Sequence, residues 1–482
     1  MRIVHRVNTS IAAFIMVSIF VAQATAQTVK ASPGSGHPTQ AVTVSGTGFA
    51  DGEAVDVYVD LTDTVLLVSS STGTLTGSVN IPASAAPGVH YITAIGRKSG
   101  DAGQVSFTVT TPWAEEGYGA AHLVNNPYEN TINASNAGAL GALWASSANT
   151  AGGTPAVSGG VAYVGAYPGV AAISTSTGAT KWTAETGLYF YGSPVVSGGY
   201  IYVGGPTGIV YSLAASSGAV HWSTTLGGAT FSSPVLANGN LYIGCNDDKL
   251  YALNATTGTV DWSYTTGAGI DGSPAVVDGV VYIGSQDDSL YALNATTGAL
   301  IWSYTTGGPI QTTPAVANGV VYFASGDAYV YAVKAAGPNA GRLLWKYQTE
   351  GAIYASPAVA NGVVYIGSSD GSLYALGAHG GALIWELTTG SLVRSAAVAN
   401  GVVYATSFDD TLYVANAATG AILGTAVTGA NYFGNPVISD GVVYVASYQH
   451  PLYAFKLQAG TGMKQPPARS SLHPNMDLVA VR

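Results

Sequence analysis

YIGSQDDSLYALNATTGALIWSYTTGGPIQTTPAV occupies Tyr282 to Val316, and the stretch before it, YIGCNDDKLYALNATTGTVDWSYTTGAGIDGSPAV from Tyr242 to Val276, is nearly the same text. Sliding this phrase along the chain finds further copies, and tryptophan marks their register. Trp144, Trp182, Trp222, Trp262, Trp302, Trp345 and Trp385 fall about 40 residues apart, with Gly424 in the next slot. A Ser-Pro or its variant (Pro155, Pro194, Pro234, Pro274, Pro314, Pro357, Pro436, with Ala396 once in its place) reads as part of a first strand. An Asn-Gly or Asp-Gly pair then begins at Asn238, Asp278, Asn318, Asn361, Asn400 and Asp440. Such pairs tolerate the positive φ at both central positions that a tight type I′ hairpin demands.

A near-continuous apolar run such as VVYIG follows, which fits a strand buried on both faces between stacked neighbours. A polar turn (NDD, QDD or SDG) leads into LYAL, and NATTG turns the chain into the tryptophan strand. Four strands per copy at a period of about 40 predict an all-β fold of propeller blades. Eight copies of the first three strands can be counted, the last ending at Leu457 with no tryptophan strand after it. One spare strand, ending at Trp144, stands at the front. It is expected to complete the eighth blade, which leaves the ring without a free edge and the chain a monomer.

The rest of the chain follows other patterns. Residues 1–26 carry Arg2 and Arg6, an apolar stretch from Ile11 to Ala22 and a small-x-small Ala24-Thr25-Ala26, the pattern of a secretory signal peptide. The apolar stretch is shorter than the roughly 20 residues a spanning helix requires. No cysteine follows the expected cleavage site, so a lipid anchor is not expected there, and the protein is placed in the periplasm or outside the cell. Residues 27–111 show alternating strands broken by Gly and Pro, as in PTQAVTVSGTGFADGEAVDVYVD, and predict a small β-sandwich. The propeller is expected over 112–457 and a flexible tail over 458–482.

Charged residues make up 8% of the chain and the formal net charge is -10, so the basic footprint that nucleic acid or anionic lipid requires is missing. Neither nucleic acid nor membrane insertion is expected. The single cysteine, Cys245, excludes an internal disulfide and any zinc site built from several thiolates. Gly267 to Gly272 spells GxGxxG and Gly367 to Gly371 spells GxSxG, but both fall in repeat turns with no helix due to follow. Asp247, Asp287, Asp370 and Asp409 recur before the LY pair and read as turn residues that cap their own backbone.

ALNATTGTVDW (Ala252 to Trp262) and ALNATTGALIW (Ala292 to Trp302) resemble the tryptophan-docking motif of pyrroloquinoline-quinone-like (quinoprotein-like) propellers, with Asn254 and Asn294 at the motif's Asp position. The resemblance implies that the seven tryptophans dock each blade on the next. SGTGF, in the leading sandwich, resembles bacterial immunoglobulin-like domains of the TIG kind. The propeller family holds quinone-dependent alcohol and sugar dehydrogenases and also cofactor-free scaffolds. Its dehydrogenases carry an adjacent cysteine pair and acidic calcium ligands, whereas here Cys245 stands alone in the slot that Ser285 and Ser368 fill elsewhere. A cofactor-free relative is therefore expected, with pyrroloquinoline quinone and calcium as the alternative.

Repetition reports packing, and variation between copies can report function. Just before each Ser-Pro the residue changes: Tyr191, Phe231, Asp271, Gln311, Tyr354, Arg394 and Phe433. In this fold the first strand lines the central channel, so these seven are expected as a ring at one mouth. Aromatics mixed with one acid, one amide and one cation suit a protein segment, a glycan or a small polar ligand. The expected role is a non-catalytic binding or scaffold protein; a quinone-dependent dehydrogenase and a surface adhesin or carbohydrate-binding protein are the alternatives.

Overall fold

Buried and exposed side chains alternate along the strands between Thr28 and Val109. Ala41–Thr47 buries Val42 and Val44, and Ala54–Val59 buries Val55, Val57 and Val59, as period-two strands with one wet face must. The computed structural model describes residues 27–428 and 434–458. The signal-like segment, Phe433 and the chain after Gln458 lie outside the described residues. The chain divides into two compact units, Met1–Pro82 with Gly88–Val109, and Ala83–Pro87 with Thr110–Arg482. The first unit has a sheet of Thr28–Ser32, Ala41–Thr47 and Thr74–Asn80. Its second sheet runs in the order Ser35–Gly36, Ala102–Val109, Gly88–Gly96, Ala54–Val59, Thr62–Val68.

Among the described residues the second unit holds eight sheets: five plain antiparallel meanders of four strands in chain order, a first that also carries Asn149–Thr150 on Val161–Tyr167, a seventh with Asn125–Asn126 lying parallel to Val393–Ala399, and an eighth closed by a strand from the front of the unit. The fourth of them, Ala275–Val277, Val280–Gly284, Ser289–Asn294 and Leu300–Thr305, is typical. The hairpin between its first two strands has φ of 49° at Asp278 and 76° at Gly279, the left-handed pair the sequence signals. Val281, Tyr282 and Ile283 in the second strand are buried, since both faces meet neighbouring sheets. The first strand begins after Pro274 and spans three residues; proline has no N–H to give to the ladder, so pairing starts one residue later. The eighth sheet joins the two ends of the unit. Leu140–Ala145 pairs antiparallel with Tyr453–Leu457, so the front strand completes a sheet whose other strands come from the end of the described chain.

One carbonyl joins seven of the eight sheets to the next. Trp262 Nε1 donates to Ala295 O at 3.0 Å, and Tyr242 Oη donates to the same oxygen at 3.0 Å. The seven tryptophans repeat the indole contact at 2.8–3.1 Å, from Trp144 to Thr175 O through Trp385 to Ala417 O. Each indole lies 5.7–6.0 Å, centroid to centroid, from a tyrosine of its own sheet. Gly298, with φ of 71°, closes the seat: a Cβ there would stand 2.6 Å from the Trp262 ring. Gly424 pairs with Val414 in the register where the other sheets carry tryptophan.

Nearer the channel a belt of hydroxyls passes from sheet to sheet. Thr154 N donates to Ser193 Oγ, Ser193 N to Ser233 Oγ, Ser233 N to Ser273 Oγ, Ser273 N to Thr313 Oγ1 and Thr313 N to Ser356 Oγ, at 2.8–3.1 Å. Asn435 N, from the eighth sheet, returns to Thr154 Oγ1 at 3.1 Å. The first strand of the eighth sheet also lies against that of the first.

A strap, residues 111–126, follows the inner edges of all eight sheets. A three-residue first strand turns the N–H and C=O of its middle residue away from its partner strand, and inside a channel those groups need another bond. The strap supplies it in order. Trp113 exchanges bonds with Val157; Val196 N donates to Ala114 O, and Leu236 N to the Glu115 carboxylate. Val276, Val316, Val359 and Val398 donate to Ala120, Ala121, Leu123 and Val124, and Asn126 Nδ2 reaches Ile438 O at 2.8 Å. To follow this path Tyr118, His122 and Val124 take positive φ of 56°, 53° and 48°, conformations that cost L-residues roughly 1–2 kcal/mol each.

Candidate functional site

A cavity of about 940 Å³ opens where the first strands of the second unit begin. The turns that precede those strands position its lining, so the residue before each Ser-Pro faces a shared space. Tyr191, Phe231, Asp271, Gln311, Tyr354 and Arg394 all line it, while the seventh residue of the expected ring, Phe433, is outside the described residues. The docking tryptophans are not among its lining residues.

Asp271 is held by amides on both sides: Gln286 Nε2 donates to its Oδ2 at 2.6 Å and Gln311 Nε2 to the same oxygen at 3.1 Å. Across the site Tyr191 stacks on Tyr448 at 6.0 Å and 25°, packs edge-on against Phe231 at 6.0 Å, and stacks with Tyr189 at 6.4 Å. Tyr191 and Tyr354 remain 38% and 43% exposed, so part of each ring meets solvent. The belt hydroxyls of Thr154, Ser193, Ser233, Ser273, Thr313 and Ser356 line the same cavity.

Glu116, from the strap, is part of the wall. Its Oε2 accepts from Ser273 Oγ at 3.3 Å and its Oε1 from Asn435 Nδ2 at 3.3 Å, partners four sheets apart in order, so this carboxylate reaches across the channel. Its neighbour Glu115 is half-buried outside the lining, and loss of solvent around it pushes its carboxyl up to about 7 against the pull of the Leu236 N–H. Burial likewise lowers the His122 imidazole below its ordinary range and keeps it neutral.

Sequence reasoning missed Glu116, Gln286 and Tyr448. The last two had a usable signal. Asn246, Gln286 and Tyr448 occupy one slot, between the small residue after the apolar run and the turn acid, and that slot varies between copies as the first ring does. Glu116 has no period to betray it; its mark is an acid pair in a charge-poor chain. The turn acids lie elsewhere and hold backbone: Asp287 Oδ1 accepts from Ser289 N at 3.0 Å, and its Oδ2 from Tyr291 Oη at 2.7 Å. GxGxxG sits in a turn before the strand Ala275–Val277, and Ser369 of GxSxG donates to Ala352 O, so neither motif meets the helix its chemistry needs.

Residues 129–203, 187–270, 265–337 and 330–432 each match the PQQ-like repeat model described as "Outer membrane protein assembly factor BamB". The chain belongs to this family. No curated protein matches it in sequence. Among solved structures the PQQ-like unit is similar to BamB from Moraxella catarrhalis, with 19% identity over 67% of this chain and 99% of that one and a TM-score of 0.57. It is also similar to quinohemoprotein alcohol dehydrogenases from Pseudomonas putida HK5 (16% identity, 75% and 82% of the chains, TM-score 0.64) and Comamonas testosteroni (17%, 76% and 83%, 0.63). At these identities the likeness is one of fold, a propeller-like stack of four-stranded sheets.

The cavity sets two carboxylates, Glu116 and Asp271, against the one guanidinium of Arg394, and Cys245, the chain's single cysteine, lies outside the lining. Among the described residues no three His, Cys, Asp or Glu side chains gather as a metal site. No helix among the described residues is long and apolar enough to cross a membrane.

Proposed function

We propose that the second unit is a closed eight-bladed ring, that the first is an immunoglobulin-like sandwich, and that the exported protein works by binding. In this reading it acts in the periplasm or outside the cell, holding a partner protein or a polar ligand at the channel mouth without chemistry of its own. The observation that carries it is a division of labour between residues. Those that repeat (Trp, Tyr, the belt hydroxyls) bond one sheet to the next, the turn acids hold their own turns, and six of the seven variable residues before Ser-Pro line one cavity. Membership in the BamB-described family supports the scaffold reading.

The double variant Asp271→Ala/Arg394→Ala is expected to keep the wild-type melting temperature within a few degrees. A photo-crosslinker placed at Tyr354 in the producing cell should give a specific adduct that this variant loses. An adduct that persists in the variant would remove the ring from consideration. A second measurement addresses the dehydrogenase reading: a cofactor at about 100 times its dissociation constant adds roughly 2.7 kcal/mol to the folded state. Pyrroloquinoline quinone plus calcium is expected to leave the melting temperature unmoved, and a clear rise would reverse that conclusion.

A further inference from the structure

We propose that the channel mouth is built to hold a saccharide chain. The inference rests on the reading that the mouth is a binding site and names the ligand class that its chemistry selects.

Three features converge. First, Tyr191 is fixed by stacking on Tyr448 and Tyr189, and Tyr354 stands on a turn four sheets away, so partly exposed aromatic rings line the mouth on well-separated turns. A platform already immobilised loses little entropy when the apolar C–H face of a pyranose ring stacks on it. Second, both amides address Oδ2 of Asp271, which leaves Oδ1 as an acceptor, and the amide oxygens of Gln286 and Gln311 stand beside it. Carboxylate and carboxamide groups held side by side match neighbouring hydroxyls, each of which donates and accepts. Third, each belt hydroxyl accepts a backbone N–H and so keeps its own proton to donate, as Ser273 does to Glu116.

The same features disfavour other ligands. An apolar molecule would cover the belt hydroxyls without offering their protons an acceptor, which disfavours it. A polyanion would meet Glu116 and Asp271. A peptide entering the channel as an added strand needs a free sheet edge, and the strap already takes the inner edges of the first strands. At about 940 Å³ the cavity stands near the top of the usual 300–1,000 Å³ range, which is room for more than a single ring.

The test is a printed glycan array probed with the full chain, followed by calorimetric titration of soluble oligosaccharides of each type retained. Saturable binding is expected, weakened at least tenfold by Tyr191→Ala and by the near-isosteric Asp271→Asn, with Lys181→Ala unchanged as a control outside the lining. Melting curves of each variant separate lost binding from lost folding. No glycan retained, or binding indifferent to both substitutions, overturns the proposal. A displayed peptide library probed in parallel distinguishes the two readings. Peptides bound in a Tyr191-dependent way, with no glycan bound, would overturn the saccharide and leave the mouth a binding site. No binder of either kind would remove both.

Discussion

At the scale of single residues, the contact between Trp262 and the next sheet combines three effects that substitutions can separate. The indole N–H meets Ala295 O, the ring lies beside Tyr242, and Gly298 seats against its face. Trp262→Ala removes all three and leaves a cavity, so a loss of about 3–5 kcal/mol in urea unfolding is expected. Trp262→Phe keeps most of the packing and should cost about 1–2 kcal/mol. Glycine offers a sharper comparison. Gly298 and Gly319 have φ of 71° and 75°, so alanine strains both backbones by roughly 1–2 kcal/mol, but a Cβ at Gly298 meets the indole while at Gly319 it meets open space. Gly298→Ala should therefore be the more destabilising by a further 1–3 kcal/mol or so. Equal losses at the two positions would mean that the seat contributes nothing to docking.

Among the elements, the hairpins and the strap differ in how they could be read. The hairpins were legible because Asn-Gly and Asp-Gly have a local physical meaning, and VVYIG followed by LYAL has no polar face to expose. Six variable residues before Ser-Pro were legible as one group because a periodic fold turns equal sequence positions into equal places. The strap was not legible. Its partners are the middle residues of eight strands far away in sequence, and its hydrogen bonds are mostly main-chain, which any side chain can make. Its acids are testable all the same. Glu115 ionises near pH 4.5 when unfolded and near 7 when folded, so between these values the folded state binds the extra proton. The stability it contributes is complete below pH 4.5 and is lost as the pH rises to about 7, on the order of 3 kcal/mol in all. Urea unfolding at pH 5 and pH 8 should show a Glu115→Gln variant losing that much less than the wild type.

For the whole molecule, the pairing of Leu140–Ala145 with Tyr453–Leu457 makes the second unit's integrity depend on both its ends. A chain in which Leu140–Ala145 is replaced by a glycine-serine stretch, with the strap kept, is expected to expose the edge of Tyr453–Leu457 and to self-associate, visible as larger species in light scattering. A synthetic peptide spanning Leu140–Ala145 should restore the monomer; a replaced chain that stays monomeric and melts normally would show the closure to be dispensable. The same pairing imposes a delay. About 300 residues separate the two strands, and at about 5–20 residues per second the front strand waits on the order of 15–60 s for its partner while the chain is made. Through that interval its apolar Leu140 and Trp144 have no closing strand to meet, so proteases and holding chaperones compete for the newborn chain until Tyr453–Leu457 arrives.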